Sequence, residues 1–515
     1  MTTLGLSHRA TALVLCAVLG CSRAYSQAAD RSEQTGDQEI RQSLERIAEA
    51  YHAVATQMAD PVDPEQAIYQ GAIPGAISRL DPFSVYLDKD QFESLQQQQR
   101  GVQQGFGAVL SVQAGKILVL QSIPDSPFSR AGLGPGDRVV SVNGTWVASL
   151  GLEDLVRVLE AARKGKVRLS VLQGGSVVAR DFELDPSEVP SPTVDRQFSL
   201  SEGIGYLRVA RIESATPHEI DQALQQWGPD KLSGLILDLR NNPGGSVDAA
   251  VELLSLFLQP GQKVVSLEGK SVPETVYRTQ SPPRYADLPL VVLMNGGTAS
   301  AAEIIAAALQ EHDRAWLVGQ TTFGKGVAEN VLPLSDGSAL VLTTARYLTP
   351  QGRSVQKPLP GTALAGILEQ GPAGFTTDRG RPLQQTSGLP PDQAAEPWRL
   401  NEWMEWLQQS TAFVNFAQQY LERHGRAGEQ FRADDEVLRE FEVFVQQAGA
   451  SIPRQEWERA VPFLQARVEA EILSQVFGIV KGDEAELRWD PQVQAAAAAM
   501  DRAAQLLGPG GSERN

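Results

Sequence analysis

A serine and a lysine stand in two short motifs where neither composition nor packing requires them. The serine, Ser300, follows an apolar run of strand length, Leu288 to Met294, and a glycine turn. It begins a segment with helical spacing of apolar residues, Ala299 to Gln310. We therefore expect a strand-to-helix elbow, where the hydroxyl lies at the sheet edge and free helix N–H groups can stabilise an oxyanion. The alternative is that Thr298 or Ser300 only caps the helix, because both residue types are preferred caps.

The lysine, Lys325, lies between two glycines in the run Thr322 to Gly326. Flanking glycines let the backbone approach its neighbours closely. A lysine removed from water is less stable as a cation, so its pKa falls and it can act as a general base. A serine nucleophile needs such a base, and histidine need not supply it. The alternative for Lys325 is a solvated turn lysine.

The two motifs together resemble those of the carboxyl-terminal processing (tail-specific) serine proteases, which use a Ser–Lys dyad. The run Asn295 to Glu303 is similar to the nucleophile motif of that family, and Thr322 to Gly326 is similar to its lysine motif. Lys325 follows Ser300 by 25 positions, as in the family. The resemblance implies that Ser300 is the nucleophile, rather than Thr298, and that Lys325 is the base.

Two acidic residues depart from the family pattern. Glu329 stands where the family usually has glutamine, and Glu311 stands where it usually has aspartate. Both are further catalytic candidates, and both substitutions keep open the interpretation of an inactive relative.

A third motif runs from Asp238 to Gly245 and precedes a helical pattern. It is similar to a glycine-rich segment of the same family, and the resemblance implies an oxyanion hole made by the N–H of Gly244 or Gly245 together with the N–H of Ala301. The residues alone indicate a helix start after a glycine turn, which could bind an anion or nothing. Asp238 and Arg240 are predicted to form a structural ion pair.

A compact unit from about Gly105 to Leu184 has the order of strands and helices found in a PDZ domain, and Ser126 to Gly144 is similar to the corresponding family segment. The residues Gly105, Phe106, Gly107 and Ala108 stand where PDZ domains bind a carboxylate. The implied mechanism is addition of an extended peptide as a strand, with its terminal carboxylate held by loop N–H groups. Without the resemblance, the glycines could merely permit a tight turn.

The amino terminus has the features of an export signal. A basic pair precedes the apolar run Ala10 to Gly20, which is shorter than the roughly 20 residues of a membrane span. We expect cleavage near Ser26 or Ala28 and export to the periplasm or cell envelope of a bacterium. The alternative is a lipid anchor at Cys21, where the sequence resembles a lipoprotein processing box. Cys16 and Cys21 both lie in this leader, so no disulfide is expected in the mature protein.

The length of 515 residues exceeds one ordinary core. The predicted fold class is multidomain α/β, with a PDZ domain, an α/β Ser–Lys protease core and helical N- and C-terminal regions. The predicted connectors are Gln96 to Gln104 and the proline-rich run Pro186 to Pro192. Leu80 to Leu87 and Arg346 to Gln356 resemble further family segments. The predicted boundaries are a signal peptide at 1–28, an N-terminal helical region at 29–100, the PDZ domain at 101–187, the protease core at 188–358, an irregular loop at 359–397 and a C-terminal helical region at 398–508.

Composition excludes several classes of function. The net charge of −17 argues against a nucleic-acid partner, which needs a basic face. The five histidines do not form a metal-binding spacing, and no cofactor motif is present. Three interpretations remain: an endopeptidase that recognises unstructured C-terminal peptides, an inactive PDZ-containing binding protein, and a periplasmic scaffold built on the C-terminal helices. The C-terminal helices are also the predicted contact of a homo-oligomer.

Overall fold

The computed structural model describes residues 38–99, 102–163, 165–173, 176–200, 203–362, 364, 374–450 and 452–508. The chain divides into two compact units, Met1–Ile77 and Ser78–Asn515. The predicted signal peptide and the predicted anchor at Cys21 lie outside the described residues. No helix among the described residues is long and apolar enough to cross a membrane.

The described part of the first unit is helical, as its amphipathic sequence pattern predicts. Its elements are α1 (38–57), the π-type helix α2 (Glu65–Ala72) and α3 (Ile73–Ile77).

The second unit begins with one strand, one helix and a PDZ-like sheet. These elements are β1 (Val85–Leu87), α4 (Lys89–Gln99), β2 (Val102–Gly105), β3 (Ala108–Gln113), β4 (Lys116–Ser122), α5 (Pro127–Arg130), β5 (Arg138–Val142), β6 (Thr145–Trp146), α6 (Leu152–Ala162), β7 (Val167–Leu172), β8 (Arg180–Leu184) and β9 (Ser187–Pro190). The sheet has the order β3-β4-β5-β7-β8, with β6 paired to β5, and β2 pairs separately with β9. Alternate residues of β7 are buried, and they pack with Leu155 of α6 to form the core of this domain.

The next segment contains two sheets that share a buried helix. Its elements are β10 (Val194–Ser199), β11 (Ile204–Val209), α7 (Thr216–Trp227), β12 (Gly234–Asp238), α8 (Val247–Leu254), β13 (Lys263–Glu268), β14 (Thr275–Arg278), β15 (Leu290–Met294), α9 (Ala301–Glu311), β16 (Trp316–Gly319), β17 (Val327–Pro333), β18 (Ala339–Leu348), β19 (Phe375–Thr376), β20 (Pro382–Leu383) and β21 (Gln393–Ala394).

The first of these sheets has the order β10-β11-β12-β15-β16-β21 and is parallel except at β10. Strands β12 and β15 are buried throughout, because parallel strands covered on both faces take continuous apolar sequence. The loops after these two neighbouring strands emerge at the same edge of the sheet. That edge therefore brings together the run from Asp238 to Gly245 and the elbow at Ser300.

The second sheet has the order β1-β18-β13-β14, and β17 also pairs with β18. It carries Glu329 on β17. Helix α9 is buried along its whole length and packs against β16 of the first sheet and β13 of the second. Its small and aliphatic residues allow the two sheets to approach it closely.

Helices make up the regular structure of the described C-terminal region. They are α10 (Glu402–Gln409), α11 (Ala412–His424), α12 (Asp435–Gln447), α13 (Arg454–Phe477), α14 (Ile479–Leu487), α15 (Pro491–Ala498) and α16 (Met500–Leu506). An aromatic core that includes Phe413, Phe416 and Phe441 holds the first four together. Met500 packs with residues of β11, β12 and β15, so the last helices cover one face of the parallel sheet.

Three local predictions are wrong. Most of the expected connector Gln96 to Gln104 is α4 and β2, since glutamine is a good helix former. The expected linker Pro186 to Pro192 contains β9, and pairing with β2 satisfies its backbone while Pro190 sits at the strand end. The single final helix expected from Pro491 to Leu507 is two helices that meet at Ala499.

Candidate active site

Ser300 lies at the predicted strand-to-helix elbow in a strained backbone conformation. Its φ is 57° and its ψ is −122°, directly before the first residue of α9. A non-glycine residue at positive φ costs on the order of 1–3 kcal/mol, and such strain persists only where the surroundings hold it in place. Ser300 is partly exposed, although its neighbours Ala299 and Ala301 are buried. The elbow thus keeps a hydroxyl accessible above an otherwise buried helix.

One buried carboxylate connects the elbow with the lysine segment. Oε2 of Glu303 accepts hydrogen bonds from the N–H groups of Ser300 and Lys325, each at 2.9 Å. Its Oε1 accepts from the N–H of Gly324 at 2.9 Å and from Oγ1 of Thr322 at 2.5 Å. Burial raises the pKa of Glu303, and these hydrogen bonds oppose that rise. The backbones of Ser300 and Lys325 are therefore fixed to the same side chain.

The side chain of Lys325 is engaged by an acidic partner and an aromatic ring. Its Nζ lies 2.9 Å from Oε2 of Glu329 and 5.0 Å from the ring centroid of Phe83. Burial raises the pKa of Glu329, and the charge of Lys325 opposes that rise. Within the described part of the chain, Nζ of Lys325 donates its hydrogen bond to Glu329 and not to Ser300.

The glycine-rich run that follows β12 packs directly on the elbow. A Cβ built on Gly244 would lie 2.7 Å from the amide nitrogen of Ala301 and 2.8 Å from Cβ of Ser300, so only glycine fits there. The N–H of Gly244 donates to Oδ1 of Asn242 at 2.8 Å. The carbonyl of Asn242 accepts from the N–H of Ala299 at 2.9 Å. The structure thus brings two of the predicted oxyanion residues, Gly244 and Ala301, next to Ser300, and Gly245 follows Gly244 and packs against the backbone of Ile212.

Thr298 and Asn295 strengthen the junction between the glycine-rich run and the elbow. The buried Oγ1 of Thr298 donates to the carbonyl of Leu239 at 2.8 Å and accepts from the N–H of Asn295 at 3.0 Å. Oδ1 of Asn295 accepts from the N–H of Asn241 at 2.9 Å. The hydroxyl of Thr298 is committed to this junction, whereas Ser300 is partly exposed at the start of α9.

The second acidic candidate, Glu311, lies at the far end of α9. Its buried carboxylate accepts from Nε of Arg353 and from the N–H of Gln351, both at 2.6 Å. Among the described residues, neither Ser300 nor Lys325 is a hydrogen-bond partner of Glu311. The structure therefore places Glu329, but not Glu311, beside the lysine, and it gives Glu311 a structural ion pair. The ion pair predicted for Asp238 and Arg240 is confirmed, with 2.6 Å between Oδ2 and an arginine nitrogen.

Three residues at the site, Glu303, Phe83 and Tyr347, were not predicted from the sequence. Glu303 sits three residues after Ser300, a spacing that is also typical of an ordinary capping box. Phe83 belongs to the segment Leu80 to Leu87, which resembles a family motif but gives no sign of its position. Oη of the buried Tyr347 donates to the carbonyl of Ser300 at 3.3 Å.

The PDZ-like domain contains a cavity of about 340 Å³ between β3 and α6. Its lining includes the predicted loop residues Gly105, Phe106, Gly107 and Ala108, together with Leu110 and Leu159. At Gly107, φ is 73° and a Cβ would fall 2.1 Å from Cβ of Ser126. The loop therefore requires glycine at 107 for its conformation. No group of three or more histidine, cysteine, aspartate or glutamate side chains that could hold a metal ion occurs in the described residues.

Three family models match the chain: the peptidase family S41 at residues 203–363, the PDZ domain at residues 118–173, and the N-terminal domain of the activating protease CtpB at residues 15–91. The carboxy-terminal processing protease CtpA of Bacillus subtilis is 32% identical over 328 residues, which cover 64% of this chain and 69% of that protein. The chain belongs to the carboxy-terminal processing protease family. This carboxy-terminal processing protease is thus a serine-type peptidase of family S41 with a PDZ domain.

A second relative agrees with this assignment. A carboxyl-terminal-processing protease of Synechocystis is 33% identical over 292 residues, or 56% of this chain and 68% of that protein. A solved structure titled photosystem II D1 C-terminal processing protease is 27% identical, covers 62% of this chain and 87% of that chain, and has a TM-score of 0.35. The family models and the relative from Bacillus subtilis confirm the predicted family, and together with the observed sheets they confirm the predicted fold class.

Proposed function

We propose that this protein is an exported endopeptidase that cleaves proteins recognised by their C-termini, with Ser300 as nucleophile and Lys325 as general base. The observation that carries the proposal is the buried carboxylate of Glu303. It accepts from the N–H groups of both residues and so holds the elbow and the lysine segment in one arrangement. Positioned groups of this kind convert a weak nucleophile and a base into a unit.

The first chemical step is attack of Oγ of Ser300 on the scissile carbonyl carbon. Nζ of Lys325, as a neutral amine, takes the hydroxyl proton and becomes an ammonium. It then gives that proton to the leaving amine as the tetrahedral intermediate collapses to an acyl-enzyme. Water, deprotonated by the same amine, hydrolyses the ester and restores Ser300. For the first proton transfer, Nζ of Lys325 must give up its hydrogen bond to Glu329 and bind the hydroxyl of Ser300 instead.

The oxyanion of the tetrahedral intermediate needs two N–H donors beside Ser300. Ala301 supplies one as the first residue of α9. The N–H of Gly244 is already bonded to Asn242, so Gly245 is the better candidate for the second donor. The glycine at 244 then serves chiefly to let the two chains approach each other.

The test of the dyad is hydrolysis of a peptide with a free apolar C-terminus by the purified mature protein. Ser300→Ala and Lys325→Ala are each expected to remove hydrolysis with unchanged circular dichroism, because nucleophile and base act as a unit. Lys357→Ala, which alters an exposed lysine in the neighbouring segment, is the matched control and is expected to remain active. Turnover retained by Ser300→Ala would refute the assignment of the nucleophile.

Recognition of the C-terminus is assigned to the cavity between β3 and α6. The apolar wall formed by Leu110 and Leu159 suits the last side chain of a peptide, and loop N–H groups suit its carboxylate. Amidation of the peptide removes the negative charge. Because hydrogen bonds to charged groups contribute about 1.5–3 kcal/mol, binding should weaken roughly tenfold or more. Calorimetry with the Ser300→Ala protein measures this binding without cleavage.

A second candidate function is a catalytically inactive PDZ-containing binding protein. The contact of Lys325 with Glu329 favours it, because an Nζ bonded to that carboxylate is not placed to take the proton of Ser300. In that case the free-acid peptide still binds more tightly than the amide, but the wild-type protein cleaves neither at any pH. Cleavage that disappears in Ser300→Ala excludes this candidate.

Export follows from the leader at residues 1–28. Mass spectrometry of the mature protein distinguishes two forms of export: a new amino terminus near Ser26 or Ala28 indicates simple cleavage, and a lipid-modified Cys21 indicates an anchor. A mature protein that retains the whole leader would contradict export by either route.

A further inference from the structure

The guanidinium of Arg240 joins the active-site loop to the C-terminal helices. On one side it contacts Asp238 at the end of β12, where Nε lies 3.0 Å from Oδ1 and 2.9 Å from Oδ2. On the other side its terminal nitrogen donates to Oδ2 of Asp490 at 2.7 Å and to Oε1 of Gln492 at 2.9 Å. The backbone N–H of Arg240 also donates to Asp238, at 2.9 Å.

Both C-terminal partners are held firmly in place. Asp490 caps α15, because its Oδ1 accepts from the N–H groups of Gln492 at 2.8 Å and Val493 at 3.2 Å. Gln492 is almost fully buried, and its Nε2 donates to the carbonyl of Ala395 at 2.8 Å. The helix start therefore presents two fixed oxygen acceptors to the arginine.

The junction is charged and largely shielded from water. Burial alone would lower the pKa of Arg240, but the carboxylates of Asp238 and Asp490 outweigh it and raise the pKa above its usual range. The hydroxyl of Tyr206 also donates a hydrogen bond to Oδ2 of Asp238, at 2.7 Å. The guanidinium group is planar and its N–H donors have fixed directions. Its hydrogen bonds therefore fix both the distance and the orientation of Arg240 relative to its partners.

The residues after Arg240 form the wall of the candidate oxyanion hole. Asn241 has a positive φ of 57° and bonds to the elbow, and Gly244 touches Ser300 three residues further on. A displacement of Arg240 would therefore shift the N–H groups that face a developing oxyanion. Losses of such donors cost about 10²- to 10³-fold in kcat when complete, so a partial shift costs less.

We propose that Asp490 and Gln492 are positioning residues for the oxyanion hole and act through Arg240. This inference rests on the proposed function, because it assumes that Ser300 forms a tetrahedral intermediate beside Gly245 and Ala301. The C-terminal helices then set the geometry of the active-site loop as well as covering the sheet.

The experiment compares two helix caps. Asp490→Ala removes the cap of α15 and the contact with Arg240. Asp434 caps α12 in the same way, because its Oδ1 accepts from the N–H groups of Glu436 and Val437. Asp434→Ala removes that cap and leaves the contacts of Arg240 unchanged. The full-length mature enzyme is assayed for kcat, KM and Tm on a C-terminal free-acid peptide. Affinity for a peptidyl boronate, which forms a tetrahedral adduct with a serine nucleophile, is measured in parallel.

The expected result for Asp490→Ala is a fall of about tenfold in kcat and in boronate affinity, with KM unchanged. Gln492→Leu keeps the side-chain volume and should reproduce the effect. Asp490→Asn keeps a good cap and one acceptor, so its loss should be smaller. Asp434→Ala should lower Tm without changing kcat or boronate affinity.

Two outcomes would overturn the inference. One is an unchanged kcat and an unchanged boronate affinity in both Asp490→Asn and Gln492→Leu. These two variants are decisive if Asp490→Ala does not fold. The other is an equal fall in kcat for Asp434→Ala, which would make the effect a general loss of stability. Failure of the proposed function appears differently, since the wild-type enzyme would then lack activity or Ser300→Ala would retain it.

Discussion

Replacement of Glu329 by glutamine tests the electrostatic control of Lys325 directly. The two side chains are mostly buried, and Nζ and Oε2 lie 2.9 Å apart. Above the pKa of Glu329, which burial raises, the carboxylate is negative and favours the ammonium form of the lysine. A general base must be the neutral amine, so this charge opposes activity. Glu329→Gln should therefore shift the rising limb of the pH–rate profile to lower pH.

The size of the shift follows from the distance. Two unit charges at this separation attract by about 5–6 kcal/mol at an effective dielectric constant of about 20. Burial disfavours both charges and offsets most of this attraction, so the remaining effect on proton transfer to the lysine is about 1.4–2.7 kcal/mol. At a pH well below both midpoints, activity would rise about ten- to a hundredfold.

The assay is kcat/KM for peptide hydrolysis measured from pH 5 to pH 10. Glu458→Gln is the matched control, because it breaks an exposed ion pair with Arg454 that has the same four-residue spacing. Its pH profile should coincide with that of the wild type. A midpoint that stays the same or rises in Glu329→Gln would refute the argument that this carboxylate holds Lys325 in its charged form.

The same residue affects stability with a defined sign. Folding raises the pKa of Glu329, so between the usual and the raised pKa the folded state binds more protons than the unfolded state. Its contribution to stability therefore falls as pH rises through that window. In Glu329→Gln this part of the pH dependence of the unfolding free energy should be absent.

Two further substitutions test how the site is assembled. In Glu303→Gln an amide replaces one carboxylate oxygen that accepts two donors, so we expect a loss on the order of 3 kcal/mol in unfolding free energy and a fall of at least tenfold in kcat. Glu469→Gln, at another buried carboxylate, should lower stability alone, and an equal effect on kcat would contradict the argument. Thr298→Ala should cost about 1–3 kcal/mol and reduce kcat partly, whereas Thr298→Ser, which keeps the hydroxyl, should match the wild type. Complete inactivation in Thr298→Ala with an intact fold would instead point to Thr298 as the nucleophile.

Local sequence patterns predicted those parts of the site that depend on neighbouring residues. The elbow at Ser300 follows from the change between a strand-length apolar run and helical spacing, and the structure has β15 and α9 on either side of it. The glycine at 244 is explained by contacts that exclude a Cβ, and the glycine at 324 by its positive φ of 88°. These features are written in a few consecutive residues, which is why they can be predicted.

Long-range contacts could not be predicted in the same way. Glu303 fits an ordinary helix cap, and nothing in the sequence indicates that it also binds Gly324 and Lys325. Glu329 and Glu311 are equivalent as departures from a family pattern, yet one contacts Lys325 and the other contacts Arg353. Only the pairing of strands and the packing of α9 decide which acidic residue meets which cation.

The contact between Arg240 and Asp490 spans 250 positions of the chain. During synthesis, Ser300 and Lys325 are complete long before Asp490 is added, and at about 5 to 20 residues per second this interval lasts roughly 10 to 30 seconds. Throughout it the active-site loop lacks its second anchor. If that anchor is needed for full activity, as we propose, a growing chain carries both catalytic residues before it can use them well. A chain truncated before α15 would lack the contact with Arg240 permanently, and its activity would stay low. The order of synthesis would then delay proteolysis until the last helices have folded onto the sheet.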